Sequence, residues 1–217
     1  MLTFAKKNWH LLAVLTIALQ GLIYLAIGQS IQGEPFYNYF WIDTKIPFIT
    51  WFVIPYVIWM PILYLGFIYI GLKNKPLFWK TIITYNAAVM VCNVIFILFP
   101  TYVPRPEIIN NDLLSYAVTL VYSNDEPLNC LPSVHVLTSY ILLITMNRHK
   151  LLTFKWRIVF SVILWSIIFS TIFIKQHALI DLIAGIALGE VVYRAVHYYA
   201  NRVQQRKHLD NAKVLSS

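Results

Sequence analysis

The sequence predicts an all-α protein: a polytopic bundle of about six transmembrane helices, forming one membrane-embedded domain over residues 1–217. Three observations predict it. Hydrophobic residues make up 59% of the chain and charged residues 12%, whereas a soluble domain carries about 25% charged residues. That deficit points to a lipid solvent rather than an outsized core. The apolar residues also gather into runs near the roughly 20 residues that a bilayer-crossing helix needs. Finally, backbone polar groups in lipid must pair within their own segment, so these runs are helices and not strands.

The first run is Leu11 to Ile27, after Lys6 and Lys7. Basic residues before an apolar stretch also mark a signal peptide. This run is long for a signal core and no small-x-small cleavage site follows it, so it is read as a retained helix. The second run is Trp51 to Gly71 and the third Thr81 to Phe99. The fourth, Val134 to Met146, is short and extends outward to Pro132. The fifth is Ile158 to Ile174, and the sixth is Ala178 to Val196, interrupted by Asp181, Glu190 and Arg194.

Orientation follows from the Lys/Arg bias of short loops. With the N-terminus inside, Lys6, Lys7, Lys73, Lys75, Lys80, Arg148, Lys150, Lys155, Arg157, Arg194, Arg202, Arg206, Lys207 and Lys213 all fall on the inner side, 14 of the 17 basic residues. Only Lys45, Arg105 and Lys175 fall outside. Both termini are therefore expected to be cytoplasmic, with a short basic tail over about residues 200–217. The net charge of +8 fits an anionic lipid surface. A nucleic-acid partner is the other usual reading of basic charge, and it is set aside because the charges sit between apolar runs. Cys92 and Cys130 make no disulfide framework and no metal-ligand spacing. They are read as free thiols, and no cofactor or metal is expected.

Chemistry-bearing residues concentrate in three segments at the outer ends of the runs. His177 and Asp181 are spaced i, i+4, which places both on one helical face. An Asp just inside a membrane helix is costly and needs a partner. A carboxylate taking the proton of one imidazole nitrogen fixes the tautomer and leaves the other nitrogen as nucleophile or base. The plainer reading is an ion pair that stabilises a helix end. Pro132-Ser133-Val134-His135 reads as a helix start capped by Ser133. Its free backbone N–H groups suit a phosphate, and His135 in the first turn is placed to protonate a leaving group. An ordinary capped helix with an interfacial His is the alternative. Arg105, between Pro104 and Pro106, has the planar fork that holds phosphate oxygens in pairs. Arg105 and Lys175 equally suit an interfacial cation beside lipid headgroups. Asp181, Gly185 and Gly189 recur every fourth residue, a spacing that lets another helix approach closely. The aromatic stretch Pro35 to Trp41 reads as a headgroup-level belt.

At these residues the chain resembles the type 2 phosphatidic acid phosphatase superfamily, which includes lipid phosphatases and vanadium haloperoxidases. Its motifs are Lys-x6-Arg-Pro, Pro-Ser-Gly-His and Ser-Arg-x5-His-x3-Asp. Arg105-Pro106 matches the end of the first. Pro132-Ser133-Val134-His135 matches the second, with Val134 for Gly. Ser170-Thr171, His177 and Asp181 match the third, with Thr171 for Arg. Leu98 stands where the first motif has Lys, and Lys175 is the candidate replacement for a missing cation. This reduced pattern is similar to the branch of inositol-phosphoceramide synthases and related phosphotransferases. The resemblance implies that His177 attacks phosphorus, that Asp181 orients it, and that His135 protonates the departing oxygen. It further implies that Arg105, Ser133, Lys175 and Ser170 hold the phosphoryl oxygens, without a metal.

Three functions follow as expectations. The first is a membrane phosphatase hydrolysing a lipid phosphate or diphosphate through a phosphohistidine. The second is a phosphodiester headgroup transferase. The third is a non-catalytic transporter or scaffold with a decayed site. The substrate is expected to be a membrane lipid, met on the extracytoplasmic face of the plasma membrane.

Overall fold

The computed structural model describes residues 7–31, 34–110 and 112–216, with side chains through residue 206. Lys6, and the side chains of Lys207 and Lys213, lie outside the described residues.

The architecture is all-α. A 3-10 segment, Trp9–Val14, leads into α1, Leu15–Ser30. After the short α2, Trp41–Lys45, the chain enters α3, Val53–Val57, and α4, Trp59–Lys73. Helix α5, Lys75–Leu98, starts sharply because Asn74 accepts the N–H of Leu77 at 3.0 Å and Pro76 sits in the first turn, where its missing donor costs nothing. Helix α6, Leu113–Asn124, is capped by Asp112, which accepts from Leu114 and Ser115. The remaining helices are α7, Val134–Arg148, α8, Phe154–Phe173, and α9, Leu179–Ser216.

Among the described residues, four helical stretches are long and apolar enough to cross a membrane: Trp9–Ser30, Thr50–Lys73, Lys75–Leu98 and Phe154–Phe173. They correspond to the first, second, third and fifth apolar runs. The other two runs are helical but do not meet the same test. Helix α7 has 15 residues, short of the roughly 20 of a full span. Helix α9 carries Asp181, Glu190 and Arg194 along its first turns and continues through the basic segment read as a tail.

The core lies among α1, α4, α5, α7 and α8, filled by fully buried Phe67, Phe78, Phe96, Leu137, Ile141 and Leu164. Outward faces are equally apolar, with Leu12, Leu15, Leu22, Ile97 and Leu98 exposed, as suits a lipid solvent. Helix α9 packs along α7 and α5. Gly185 permits the closest approach: a Cβ there would lie 2.9 Å from the carbonyl oxygen of Ser133 and 3.1 Å from Val136 Cβ. Gly189 does the same against Tyr140 one turn further on. The small-residue spacing therefore seats α9 against the start of α7, and His177 and His135 enter the same layer.

Loops cap one end of the bundle. Two residues of β1, Phe36–Tyr37, pair in parallel with β2, Thr101–Tyr102. Thr101 Oγ1 accepts the N–H groups of Cys130 and Leu131, both at 3.0 Å. The aromatic stretch is thus stitched onto the loops that precede α6 and α7.

Candidate functional site

Helix α8 ends in a turn that aims His177. The N–H of Gln176 bonds the carbonyl of Thr171 at 3.0 Å and the N–H of Lys175 bonds that of Ile172 at 3.3 Å. This is the 6→1 and 5→2 pattern of a Schellman C-cap. Lys175 occupies its left-handed position with φ 56°, a conformation that costs an L-residue about 1–2 kcal/mol and that glycine adopts freely. The N–H of His177 also bonds the Thr171 carbonyl, at 3.0 Å.

Two acceptors face the His177 ring. Nδ1 lies 3.1 Å from the Cys130 carbonyl and 3.4 Å from Asp181 Oδ2. A nitrogen between two acceptors carries the proton, which leaves Nε2 with the free lone pair. Asp181 is fully buried. Its Oδ2 accepts the N–H of Ala178 at 2.8 Å and its Oδ1 accepts Asn38 Nδ2 at 2.5 Å. With each oxygen engaged, the carboxylate is fixed in orientation.

His135 faces His177 with ring centroids 5.9 Å apart. It is sandwiched by Tyr56 and Trp59, at 4.5 Å and 3.9 Å, and Trp59 Nε1 is anchored on Thr138 Oγ1 at 3.0 Å. Ser133 caps α7: its Oγ accepts the N–H of Val136 at 3.3 Å, and its own N–H donates to the Asp181 carbonyl at 3.2 Å. Both imidazoles line a cavity of about 590 Å³ that runs from the loop layer down between α1 and α4, reaching the exposed Leu22, Leu25 and Met60.

The other expected residues are placed differently. Arg105 donates from Nη1 to the Tyr122 carbonyl at 2.8 Å and from Nη2 to the Asp125 carbonyl and Gln176 Oε1, with its guanidinium over the Tyr122 ring. Lys175 turns its ammonium away from the cavity. Nζ bonds the carbonyls of Asp43 at 2.7 Å and Ile46 at 2.5 Å, and the Tyr39 hydroxyl at 3.2 Å. Burial pulls its pKa below the usual lysine range. Ser170 Oγ donates to the Ile167 carbonyl within its own helix. Leu98, at the position of the first motif's Lys, points outward and is exposed. Thr171 is buried and donates to the Ile168 carbonyl.

Several residues of the site were missed by the sequence reading. Asn38 sits in the aromatic stretch taken as a belt, and its isolation as the one amide among aromatics was the available signal. Tyr56, Trp59, Gln176 and Asp125 gave none, because their meeting depends on helix packing. Asp125 accepts from Tyr56 at 2.6 Å, from Tyr24 at 3.2 Å and from Gln176 at 3.3 Å, and it lines the cavity beside His135. Cys130 is a free thiol, as the sequence leads one to expect, and it packs into the site. Its Sγ, a His177 ring nitrogen and an Asp181 oxygen lie within 4.8 Å of one another, a grouping that the sequence spacing does not suggest. Burial pushes the Cys130 thiol well up. Its Sγ donates to the Pro127 carbonyl at 3.4 Å, and a protonated thiol is a poor ligand.

Comparison with known protein families adds the deciding observation. The family model described as the PAP2 superfamily matches residues 77–205, more than half of the chain. The chain belongs to the PAP2 superfamily. The matched stretch contains Arg105, His135, His177 and Asp181, whereas Asn38, Tyr56 and Trp59 lie before it. Searches of curated proteins and of solved structures found no match. PAP2 superfamily members are phosphatases and phosphotransferases, so membership supports an enzyme acting on phosphoric esters. With four helices apolar enough to span a bilayer, it also supports an integral membrane protein.

Proposed function

We propose that this PAP2 superfamily member is an integral membrane enzyme that cleaves a lipid phosphoester through a phosphohistidine at His177. The observation that carries the reading is the His177 ring, whose Nδ1 is held by the Cys130 carbonyl and Asp181 while its other nitrogen is free beside His135 in one cavity. Nε2 attacks phosphorus and forms the P–N bond as the ester P–O bond breaks. His135 gives its proton to the departing alkoxide. His135 then takes a proton from water, whose oxygen attacks phosphorus, and the P–N bond breaks to return His177. Asp181, fixed by Asn38 and the Ala178 N–H, favours the imidazolium-like state of the attacked ring. The Ser133 hydroxyl and the N–H groups of Val134 and His135 at the start of α7 supply donors toward the phosphoryl oxygens, and Arg105 acts there through Gln176.

Six spans with both termini cytoplasmic complete the proposal, with α7 and α9 crossing alongside the four longer stretches. On that topology the catalytic layer lies at the extracytoplasmic face of the plasma membrane, and residues 1–217 form one domain.

A second reading is transfer of a headgroup from a phosphodiester. Asp125 beside His135 favours it, because a carboxylate there opposes a phosphomonoester dianion more than a phosphodiester monoanion. The test is a panel of lipid phosphomonoesters and phosphodiesters offered to purified protein, following both phosphate release and headgroup transfer. Turnover of at least one class is expected. Absence of turnover and of covalent label across the panel would favour a non-catalytic scaffold instead.

Lys175 separates a binding role from a structural one. Its contacts with Asp43, Ile46 and Tyr39 imply that Lys175→Gln lowers stability by about 1–3 kcal/mol by leaving buried carbonyls short of a donor. On this basis kcat/KM of the folded fraction changes less than about threefold. Thermal unfolding and steady-state kinetics on one lipid decide it. A loss of about tenfold or more in kcat/KM at unchanged stability would put the ammonium on the phosphoryl group.

A further inference from the structure

A polar seam runs through the apolar part of the bundle and ends in the wall of the same cavity. Thr16, Gln20 and Tyr24 recur every fourth residue on one face of α1. Asn86 and Asn93, two turns apart on α5, meet them. Asn86 Nδ2 donates to the Ile82 carbonyl at 2.8 Å and to Thr16 Oγ1 at 2.9 Å. Asn86 Oδ1 accepts from Gln20 Nε2 at 3.2 Å, and Gln20 Oε1 accepts from Asn93 Nδ2 at 3.0 Å.

The seam has a direction, and the Ile82 carbonyl sets it. A carbonyl only accepts, so the amide nitrogen of Asn86 must face it. The oxygen of Asn86 then faces Gln20, and the oxygen of Gln20 faces Asn93. The chain of donors ends on Asn93 Oδ1, which no donor among the described residues reaches. Asn93 is only 3% exposed and lines the cavity together with Gln20. A buried acceptor left without a donor is costly, and a hydrocarbon chain lying against it does nothing to relieve that.

Its depth relates it to the catalytic pair. Gln20 lies one helical turn, about 6 Å, inward of Tyr24, and the Tyr24 hydroxyl meets Asp125 beside His135. Asn93 lies five residues before the end of α5 at the loop layer. The lone acceptor is therefore below the headgroup level, where the backbone of a bound lipid would lie. Asn129 Oδ1 is a second lone buried acceptor, in the upper wall of the same cavity.

We infer that the cavity takes a lipid whose backbone carries a hydrogen-bond donor, an amide N–H or a hydroxyl, about one helical turn beneath the phosphate, where Asn93 Oδ1 accepts it. This rests on the reading of the cavity as a lipid phosphoester site. A lipid whose chains are all ester-linked brings only acceptors to that depth and leaves Asn93 unmatched. Sites built to bond an O–H or N–H reject the analogue that lacks it.

The test uses three lipid phosphoesters with one headgroup and matched chains: amide-linked, ester-linked with a free backbone hydroxyl, and fully ester-linked. Their equilibrium binding is measured on the full chain carrying His177→Ala, so that turnover does not intervene. The amide or the hydroxyl lipid, or both, is expected to bind at least about tenfold tighter than the fully ester-linked one, and which of them does identifies the donor. Adding Asn93→Leu should shrink that ratio below about threefold. Adding Thr16→Val, which leaves the Ile82 carbonyl to orient Asn86, should keep the ratio, whereas Asn86→Leu frees Gln20 and Asn93 to flip and should shrink it. Equal affinities for all three lipids, or a ratio untouched by Asn93→Leu, would overturn the inference. If Asn93→Leu fails to fold, the ratio in the parent decides alone. Turnover of the same lipids by the unmutated protein separates the two claims. Turnover without discrimination defeats the donor rule. Selective binding without turnover or covalent label defeats the catalytic reading and leaves the donor rule standing.

Discussion

His177→Ala is expected to lower turnover by at least about 10⁴-fold, to the limit of detection. The substitution removes the ring nitrogen at the cavity that a fixed hydrogen bond on the opposite side of the ring leaves free. His135 does not replace it. Its ring is clamped between Tyr56 and Trp59, and among the described residues no carboxylate is hydrogen-bonded to it as Asp181 is paired with His177. The fold should survive, because the turn that carries His177 is held by backbone bonds to Thr171 and Ile172 and by the caps around Asp181. Steady-state turnover at matched folded concentration checks this, with the unfolding temperature as control.

His135→Ala is expected to have the second-largest effect, and its size should depend on the leaving group. Loss of a positioned general acid costs about 10²–10⁴-fold when a lipid alkoxide departs. An activated ester with a nitrophenolate leaving group needs no proton, so the first step should remain close to the parental rate. The second step still needs a base for water. The variant should therefore show a burst of one nitrophenolate per enzyme followed by slow turnover, with phosphate held on the protein. Equal losses on both substrates, without a burst, would place His135 outside proton transfer.

Much of the architecture was legible in the sequence because lipid imposes a simple rule. Apolar runs near span length must be helices, and all six runs are helical in the structure, four of them at full length. The His177–Asp181 contact was legible for the same local reason: i, i+4 residues meet on any helix. So was the Ser133 cap. Contacts that cross the bundle were not. Asn38 reaches Asp181 over 143 residues of chain, and the Cys130 carbonyl reaches His177 over 47. Nothing in local periodicity announces either. Long cations were the hardest to place. Lys175 has the reach to meet a phosphate or to turn back on its own loop, and the left-handed turn at its backbone directs it to the carbonyls of Asp43 and Ile46. The seam through Gln20, Asn86 and Asn93 was visible as polar residues inside apolar runs. That it ends on Asn93 Oδ1, an acceptor with no donor among the described residues, depends on side-chain hydrogen-bond direction, which only the fold reveals.

The central claim is a covalent P–N bond at His177, and rapid-quench labelling tests it most directly. The purified protein is mixed with a lipid phosphoester radiolabelled at phosphorus, quenched in base within one turnover, digested and mapped. Base-stable, acid-labile label is predicted on the peptide containing His177, formed no more slowly than steady-state turnover and absent from His177→Ala. Turnover without protein-bound label, label on another residue, or near-parental activity in His177→Ala would contradict it.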